Sequence, residues 1–477
     1  MLGLSQHIVE VIDYVIFAAY LIAMVGVGLY FYVKNQSVDD YFVGGRNIGS
    51  VHIGMSVVAT DVGGGFSIGL GGLGFAMGLS GSWMLFTGLV GAWLSAVWLI
   101  PRVFKLTAIK TLYSMPQLFK HYYGLTAAGI AAVISFVGYV GFTSSQIVAG
   151  AKLASATFDG VSFEMLLLIM GIFTVVYTAL GGLKAVIYTD TIQWLILMVG
   201  LLFVGIPAAY FMLGGWGAIV AVLPSEMLRF DQISPMKMLN WSLTIIPIWF
   251  IGMTLYQRIF ASRNEFEAKR AWFIAGLLEW PLMAFMGVIL GLFARAAFEM
   301  QLISFPNGLV DPELGLPLLL RTALPVGVTG VILAAYFSAI MSTADSCLMA
   351  ASGNFISDFL GMAIRMSPKQ QLRMSQWSTL LLGGIAIYIG MHMRNVLELM
   401  LLSYAFMVSG LFVPIVIALS GKSRSAPAAI ASMLGGGITA MALIYFKIEV
   451  WGGLDANGIG LSVSALLFAI FHSLFKK

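Results

Sequence analysis

The chain is a succession of long apolar stretches separated by short polar segments. Each stretch has about 20 residues or more, the length that a helix needs to cross about 30 Å of hydrocarbon. The stretches are too long, and too continuously apolar, for the strands of a membrane β-barrel. The pattern therefore predicts thirteen transmembrane helices, at residues 10–33, 51–77, 82–101, 124–155, 162–181, 184–212, 238–260, 269–297, 327–360, 374–393, 396–420, 426–446 and 459–475.

The composition agrees with a polytopic membrane protein. Hydrophobic residues make up 60% of the chain and charged residues 10%, whereas soluble domains carry about a quarter charged residues. The single cysteine, Cys347, excludes an intrachain disulfide and a cysteine-based metal site. No Lys or Arg precedes the first apolar stretch, so this segment does not resemble a signal peptide and is expected to remain as a span.

The basic residues are distributed unevenly between the two sides of the predicted helices. Most of the 25 Lys and Arg residues fall in alternate connections, which the positive-inside rule assigns to the cytoplasm. This predicts an N-terminus outside and a C-terminus in the cytoplasm. No connection is long enough for a folded extramembrane domain, so we expect a single membrane domain over residues 1–477, with no nucleic-acid partner.

Two predicted spans carry helix-breaking residues near their middle. In the second span, Gly63–Gly65 follow Asp61, and each glycine disfavours a helix by about 1 kcal/mol. In the seventh span, Pro247 removes a backbone hydrogen bond and Gly252 follows. The alternatives are close helix packing for the glycines and a simple kink at the proline. Because the two spans are five apart, the pattern favours matching interruptions in two halves of a transporter.

The acidic residues Asp61, Asp190, Glu279 and Asp345 all lie inside predicted spans. A charged side chain there costs about 2.5–3.5 kcal/mol on insertion scales, so such residues usually face the bundle interior and line ion or substrate pathways. Few basic residues are expected at the same depth, so cations from solution are the expected counter-charges. A structural hydrogen bond or ion pair is the alternative, above all for Glu279.

The sequence MSTADS, residues 341–346, concentrates oxygen atoms in an otherwise apolar span. On a helix, Ser342, Asp345 and Ser346 share one face, and Thr343 lies beside it. Hydroxyl and carboxylate oxygens suit a small hard cation such as sodium better than copper or zinc. Serine and threonine also bond back to helix carbonyls, but four oxygen-bearing side chains in five positions favour an ion site.

Five motifs, in this order, resemble the sodium:solute symporter family: DDYFVGGRNIG (39–49), ATDVGGG (59–65), YTALGGLKAVIYTDTIQ (177–193), LYQRIFAS (255–262) and SAIMSTADS (338–346). The resemblance implies an all-α fold of thirteen spans, with inverted five-helix repeats of leucine-transporter type and two broken helices. It implies an extra N-terminal span, two repeats and two C-terminal spans, at residues 10–33, 51–212, 238–420 and 426–475. It also implies sodium-coupled uptake of sugars, amino acids, vitamins, choline or organic acids.

The resemblance also implies sodium ligands. The core sodium site falls on the carbonyls of Ala59, Val62 and Ala339 and the hydroxyls of Ser342 and Thr343. A second sodium site, present in some members, matches Asp190, Ser342, Asp345 and Ser346. Asp61 resembles the proline-transporter branch, which carries an acid near the core sodium.

The substrate site is expected between the two breaks, at Gly63, Gly64, Phe66, Ser145, Trp249, Phe250, Thr254 and Tyr404. The motif wording is closest to the choline-transporter branch. That branch surrounds a quaternary ammonium group with tryptophans, which are missing at Asp61 and near Gly252. The polar side chains of the sugar branch are also largely replaced by apolar ones. A small amino acid, another zwitterion or a small cation is therefore favoured over a sugar.

The sequence thus predicts a sodium-coupled secondary transporter of the cell membrane, the inner membrane in a bacterium, that imports a small organic solute by alternating access. Proton coupling through Asp61, Asp190 or Asp345 is one alternative, and a membrane sensor domain is another. The five histidines are scattered and no nucleophile–base spacing is present, which argues against an enzyme. The expected partners are sodium, the solute and the lipid bilayer. A monomer is sufficient for transport, while the oligomeric state and the number of sodium ions per cycle stay open.

Overall fold

The protein is all-helical throughout the part of the chain that the structure, a computed structural model, describes. That part comprises residues 11–34, 46–61, 64–107, 112–157, 160–181, 183–361, 364, 366–421, 424–448 and 452–475. Within it the α-helices are joined by short loops and by 3₁₀- or π-helical segments. An isolated parallel bridge joins Ile48 to Ser262. The all-α fold class is confirmed.

The described residues of the first half form eleven helices, which are α1 (Val11–Lys34), α2 (Ser50–Asp61), α3 (Gly64–Met77), α4 (Trp83–Leu94), α5 (Ile100–Thr107), α6 (Pro116–Tyr123), α7 (Leu125–Thr157), α8 (Phe163–Gly181), α9 (Leu183–Gly200), α10 (Ile206–Met212) and α11 (Trp216–Val222). The second half continues with α12 (Pro235–Ile251), α13 (Met253–Ala261), α14 (Glu265–Leu277), α15 (Ala284–Glu299), α16 (Pro312–Ala323), α17 (Val328–Gly353), α18 (Pro368–His392), α19 (Val396–Leu419), α20 (Ala426–Tyr445) and α21 (Ala456–Leu474). A π-helical segment, Asn354–Leu360, extends α17.

The helices coincide with the predicted spans. Eight helical stretches of the described residues are long and apolar enough to cross a membrane, and a ninth results when α12 and α13 count as one bent span. Shorter apolar helices lie at Val11–Tyr20, Ser50–Thr60 and Phe163–Ala179. A membrane protein with many spans is therefore confirmed, while the count of thirteen and the boundaries of the two repeats stay predictions.

The second predicted helix break is present, while the first falls on Val62 and Gly63, which lie outside the described residues, and stays a prediction. Helix α2 ends at Asp61 and α3 begins at Gly64. Helices α12 and α13 meet at a bend of 42°, where Gly252 takes an extended conformation with φ −60° and ψ 115°. Pro247 lies inside α12, so the seventh span is interrupted at the glycine and not at the proline. The Gly252 carbonyl there accepts the N–H groups that begin α13.

Helix α17 forms the centre of the bundle. In the apolar part of Val328–Leu360, which contains α17, 94% of the residues are buried, whereas in the apolar part of α21 (Ala456–Leu474) only 28% are buried. Helix α17 packs against α7, α9 and α3, while α7 also packs against α19. The oxygen-rich segment 341–346 is therefore enclosed by protein and does not face lipid, as a polar segment of a membrane helix requires.

Candidate functional site

The end of α2 meets the middle of α17 at the predicted core sodium site. The Thr343 hydroxyl lies 2.9 Å from the Ala59 carbonyl and 3.2 Å from the Ala339 carbonyl, and it donates to both. Ala59 lies two residues before Asp61, the last residue of α2. All three residues are buried. Three of the predicted core ligands are thus brought into contact.

Ser342 belongs to a second polar cluster, centred on Asp190 of α9. The Ser342 hydroxyl donates to Asp190 Oδ1, and the Ser56 hydroxyl donates to Asp190 Oδ2 over 2.5 Å. Asp190 has 0% exposure. The cluster joins two of the residues predicted for a second sodium site. It also includes Ser56 of α2, which the sequence analysis did not single out.

Arg258 of α13 is the cationic partner of Asp190. Its Nη2 lies 3.3 Å from Asp190 Oδ2, and it donates to Thr60 Oγ1 over 2.6 Å and to Ser346 Oγ over 2.8 Å. The side chain of Arg258 has 0% exposure. The guanidinium group therefore lies directly among residues predicted to bind a second sodium ion.

The expectation that the buried acids lack basic partners is wrong at Asp190. Hydropathy places Arg258 at the polar end of the seventh span, but the residue lies beyond the bend at Gly252, and its guanidinium group points into the bundle. Its Nε donates to Ser56 and its Nη1 to the Thr254 carbonyl, each over 3.1 Å. Because its N–H groups meet a carboxylate, hydroxyls and a carbonyl, the buried charge is both paired and hydrogen-bonded.

Two further acidic residues have other surroundings. Asp345 Oδ1 accepts a hydrogen bond from the Thr178 hydroxyl of α8, so α8 contributes a residue that the sequence analysis did not single out. Glu279 packs against Gly88 of α4, where an added β-carbon would lie 1.9 Å from Glu279 Oε1. The hydrogen bond or ion pair offered as the alternative for Glu279 stays a prediction.

Thr254 and Tyr404 lie beside the same face of α7. The Thr254 and Tyr139 hydroxyls are 3.1 Å apart, and the Tyr139 oxygen also accepts the Thr254 N–H over 3.2 Å. The Tyr404 ring packs edge-on against Phe142, with 4.9 Å between centroids. Tyr139 and Phe142 are one helical turn apart on α7, so Thr254 and Tyr404 contribute to one surface. The sequence signal for Tyr139 and Phe142 is their helical spacing ahead of Ser145. Ser145 donates to the Phe142 carbonyl over 2.7 Å.

Trp249 and Phe250 pack against neighbouring helices. An added β-carbon at Gly91 of α4 would lie 2.5 Å from Trp249 Cδ1, and the Trp272 ring lies 6.4 Å from the Trp249 ring. Phe250 packs edge-on against Phe412, with 5.7 Å between centroids. These contacts give Trp249 in particular a packing role between α12, α4 and α14.

The remaining predicted site residues lie at the α2–α3 break. Val62 and Gly63 are outside the described residues, and so are the side-chain surroundings of Asp61, Gly64 and Phe66. Their assignments stay predictions.

A cavity of about 520 Å³ opens at one end of the bundle. Gly69 of α3 and Ala405 of α19 line its inner part. Gly69 follows Phe66 by about one turn and Ala405 follows Tyr404 directly, so the cavity ends beside the candidate substrate site. Its charged lining residues are Lys237, Asp311, Glu313, Glu398 and Asp455.

Lys152 of α7 pairs with two carboxylates at this cavity. Its Nζ lies 2.6 Å from Asp311 Oδ2 and 2.7 Å from Glu313 Oε2. The Glu313 carboxylate also accepts the N–H groups of Val396 and Leu397, each over 2.9 Å. Glu313 therefore links α7 to the first turn of α19, where unpartnered N–H groups favour a negative charge.

Comparisons with known proteins agree with this geometry. The family model of the sodium:solute symporter family matches residues 41–436. The high-affinity proline transporter PutP of Bacillus subtilis (strain 168) is 28% identical, over 87% of this chain and 89% of that protein. The sodium/pantothenate symporter of Escherichia coli (strain K12) is 27% identical, over 91% of each chain.

Two solved structures share the fold. A Na⁺-coupled sialic acid symporter in a substrate-bound, outward-open state aligns with a TM-score of 0.80, at 23% identity, over 98% of both chains. Mhp1, a nucleobase-cation-symport-1 family transporter, aligns with a TM-score of 0.54, at 13% identity, over 92% of this chain and 95% of that one. This chain belongs to the sodium:solute symporter family, and it is a sodium-coupled secondary transporter of a small organic solute, not an enzyme.

Proposed function

We propose that the protein imports a small zwitterionic solute together with one sodium ion, which binds between the α2–α3 break and α17. The observation that carries this proposal is the contact of the Thr343 hydroxyl with the Ala59 and Ala339 carbonyls. It gathers three neutral oxygens of the kind that a hard cation prefers. The Ser342 hydroxyl and the Val62 carbonyl are proposed to complete the ligand set.

Arg258 supports one sodium ion rather than two. The guanidinium group already donates to Asp190 and Ser346, two residues of the second ion site that the family resemblance implies. A second cation at the same residues would lie a few ångströms from a positive charge, and that repulsion is large in a low-dielectric interior. Asp190 is then the ion-pair partner of Arg258, and it positions Ser342 through its other carboxylate oxygen.

The candidate substrate surface supports a small zwitterion. Tyr139, Thr254 and Tyr404 bring hydroxyl groups to it, while aromatic faces such as Phe142 attract an ammonium group. The sodium ion supplies the positive charge that a carboxylate requires. Amino acids of the size of proline fit this chemistry, and the proline transporters among the relatives support the same choice.

The transport cycle follows from coupling between the two ligands. Sodium bridging α2 and α17 favours the state in which the solute surface is formed, and the solute in turn favours the state that holds sodium. Such coupling is reciprocal, so each ligand raises the affinity for the other. We place the protein in the cell membrane with its N-terminus outside, so that the cavity beside Glu398 faces the exterior and the solute moves inward.

Uptake into proteoliposomes tests this proposal. Radiolabelled proline, other amino acids, choline and pantothenate are compared under an inward sodium gradient and under a matched potassium gradient. We expect sodium-dependent uptake of at least one zwitterion, with a sodium dependence that has a Hill coefficient of one. Uptake driven equally by a pH gradient without sodium would contradict the proposal and favour proton coupling, for which the buried Asp345 is the candidate carrier.

A further inference from the structure

A second cavity lies at the end of the bundle opposite the first one. Its volume is about 300 Å³. It is lined by the segment before α6, by the start of α13, by the end of the Val328–Leu360 stretch and by the first turn of α18. Helix α18 runs from one cavity to the other. It begins with Pro368 at the second cavity and ends at His392, shortly before Asn395, which lines the first cavity.

A buried carboxylate, Asp358, lines this second cavity. Its exposure is 4%. Its Oδ1 accepts hydrogen bonds from the Ser114 hydroxyl over 2.7 Å and from Gln117 Nε2 over 3.3 Å. Among the described residues, its Oδ2 has no hydrogen-bond partner although it is buried. A buried carboxyl oxygen in this position requires a partner, which is a cation, a proton or a water molecule.

The neighbouring donor is fixed in its orientation. Gln117 Oε1 accepts the Tyr113 N–H over 3.0 Å, so its amide N–H₂ group faces Asp358. The Gln371 side chain donates to the Ser357 hydroxyl over 2.8 Å. The cavity therefore combines one carboxylate with serine hydroxyl oxygens, which are hard ligands suited to an alkali cation.

The cavity also adjoins the broken seventh span. Met253, the first residue after the break at Gly252, lines it, and its sulfur accepts the Met115 N–H over 3.4 Å. The next residue is Thr254, which contacts Tyr139 at the candidate substrate surface. A ligand that leaves the central site toward this end would pass Met253 and then Asp358.

We propose that Asp358 forms a transient sodium site on the release path, with Ser114 and Ser357 as its neutral ligands. This inference rests on the proposed sodium symport and on the proposed orientation, in which this end faces the cytoplasm. The site lowers the barrier for sodium to leave the neutral core ligands, because it offers a full negative charge near the exit. Lys120, which is exposed on α6, lies at the rim of the same region.

Protection of an engineered cysteine by sodium tests the site. Gln371→Cys, which lines the cavity but is not a proposed ligand, is introduced into a Cys347→Ala background, and an impermeant maleimide is added to inside-out membrane vesicles. Sodium, compared with potassium at equal ionic strength, is expected to slow labelling. Asp358→Asn should raise the half-protecting sodium concentration about tenfold, because it removes the formal charge from the cavity. If Asp358→Asn fails to fold, Ser114→Ala should raise the half-protecting sodium concentration about threefold, because one neutral ligand is lost.

Two control variants separate local binding from other effects. Asp13→Asn changes another buried carboxylate, which accepts the N–H groups of Gly327 and Gly330, and it should leave protection unchanged. Thr343→Ala removes a core ligand and should also leave protection unchanged. Equal protection in Asp358→Asn and its parent, or loss of protection in Thr343→Ala, would overturn the proposal. Failure of sodium symport itself would appear separately, as uptake without sodium dependence.

Discussion

The guanidinium group of Arg258 joins α13 to three other helices. Its N–H groups reach Ser56 and Thr60 on α2, Asp190 on α9 and Ser346 on α17. Helices α2 and α17 carry proposed core sodium ligands, and Asp190 of α9 accepts a hydrogen bond from one of these ligands, Ser342. A buried ion pair is costly to break from one side, because the partner is left charged and unpaired. The geometry of the site therefore depends on Arg258 even though Arg258 does not touch sodium in our account.

Removal of Arg258 tests this dependence. Arg258→Met should lower the free energy of unfolding by about 3–5 kcal/mol, since Asp190 is left as an unpaired buried charge. Adding Asp190→Asn should restore part of that stability, and denaturant unfolding of the two single variants and the double variant in detergent measures the coupling. Losses that simply add in the double variant would contradict the ion pair.

At the scale of the helices, glycines beyond the first break serve close packing. An added β-carbon at Gly291 of α15 would lie 2.0 Å from the Gly71 carbonyl, and one at Gly74 would lie 2.3 Å from the Val288 carbonyl. Helices α3 and α15 therefore touch through their backbones. For these glycines close packing is the structural role, while the role of the run that begins at Gly63 stays a prediction.

A larger residue at this contact should separate the two helices. Gly291→Ala is expected to cost about 1–3 kcal/mol of stability, because the clash is with backbone and cannot be relieved by a rotamer change. Gly217→Ala in α11 is the matched control, since nothing lies within 4 Å of its added β-carbon; it should be neutral or stabilising by up to about 1 kcal/mol. Thermal unfolding of both variants checks this, and equal effects would contradict the packing argument.

The apolar pattern was sufficient to predict the membrane helices and the break in the seventh span, because apolar spans and glycine are local properties of the sequence. Of the two residues named for the second break, the structure bends at Gly252, while Pro247 stays inside α12, because a helix tolerates proline where its neighbours compensate for the lost hydrogen bond. Thr343, Ser342 and Asp190 came from motifs that resemble a known family. Arg258 was missed because a charge near the end of an apolar stretch does not reveal from its position whether it faces solvent or turns inward.

At the scale of the whole molecule, the proposed sodium contact lies between two cavities. Ala405 lines one cavity and Met253 the other, and the Thr343 contact belongs to α17, whose last residue, Gly353, lines the second cavity. Alternating access requires that the solute surface be reached from each end in turn. In the proposed cycle α3 and α13 would provide this access, because α3 lines the first cavity and α13 begins at the second.

The arrangement predicts the orientation of the termini. The predicted thirteen spans would place the two termini on opposite sides, and the predicted basic connections would place the C-terminus in the cytoplasm. A C-terminal green fluorescent protein should therefore fluoresce and a C-terminal alkaline phosphatase should be inactive in bacterial cells. The reverse pattern would contradict the span count or the orientation.

Thermal unfolding of the purified protein in sodium, with potassium at equal ionic strength as the reference, is the most direct test of the core site. We predict that sodium raises the unfolding temperature, since a ligand at about 100 times its Kd adds about 2.7 kcal/mol to stability. Thr343→Ala should abolish this shift, and Thr343→Ser should retain it because the hydroxyl remains. A shift of equal size in Thr343→Ala and in the parent protein would contradict the account.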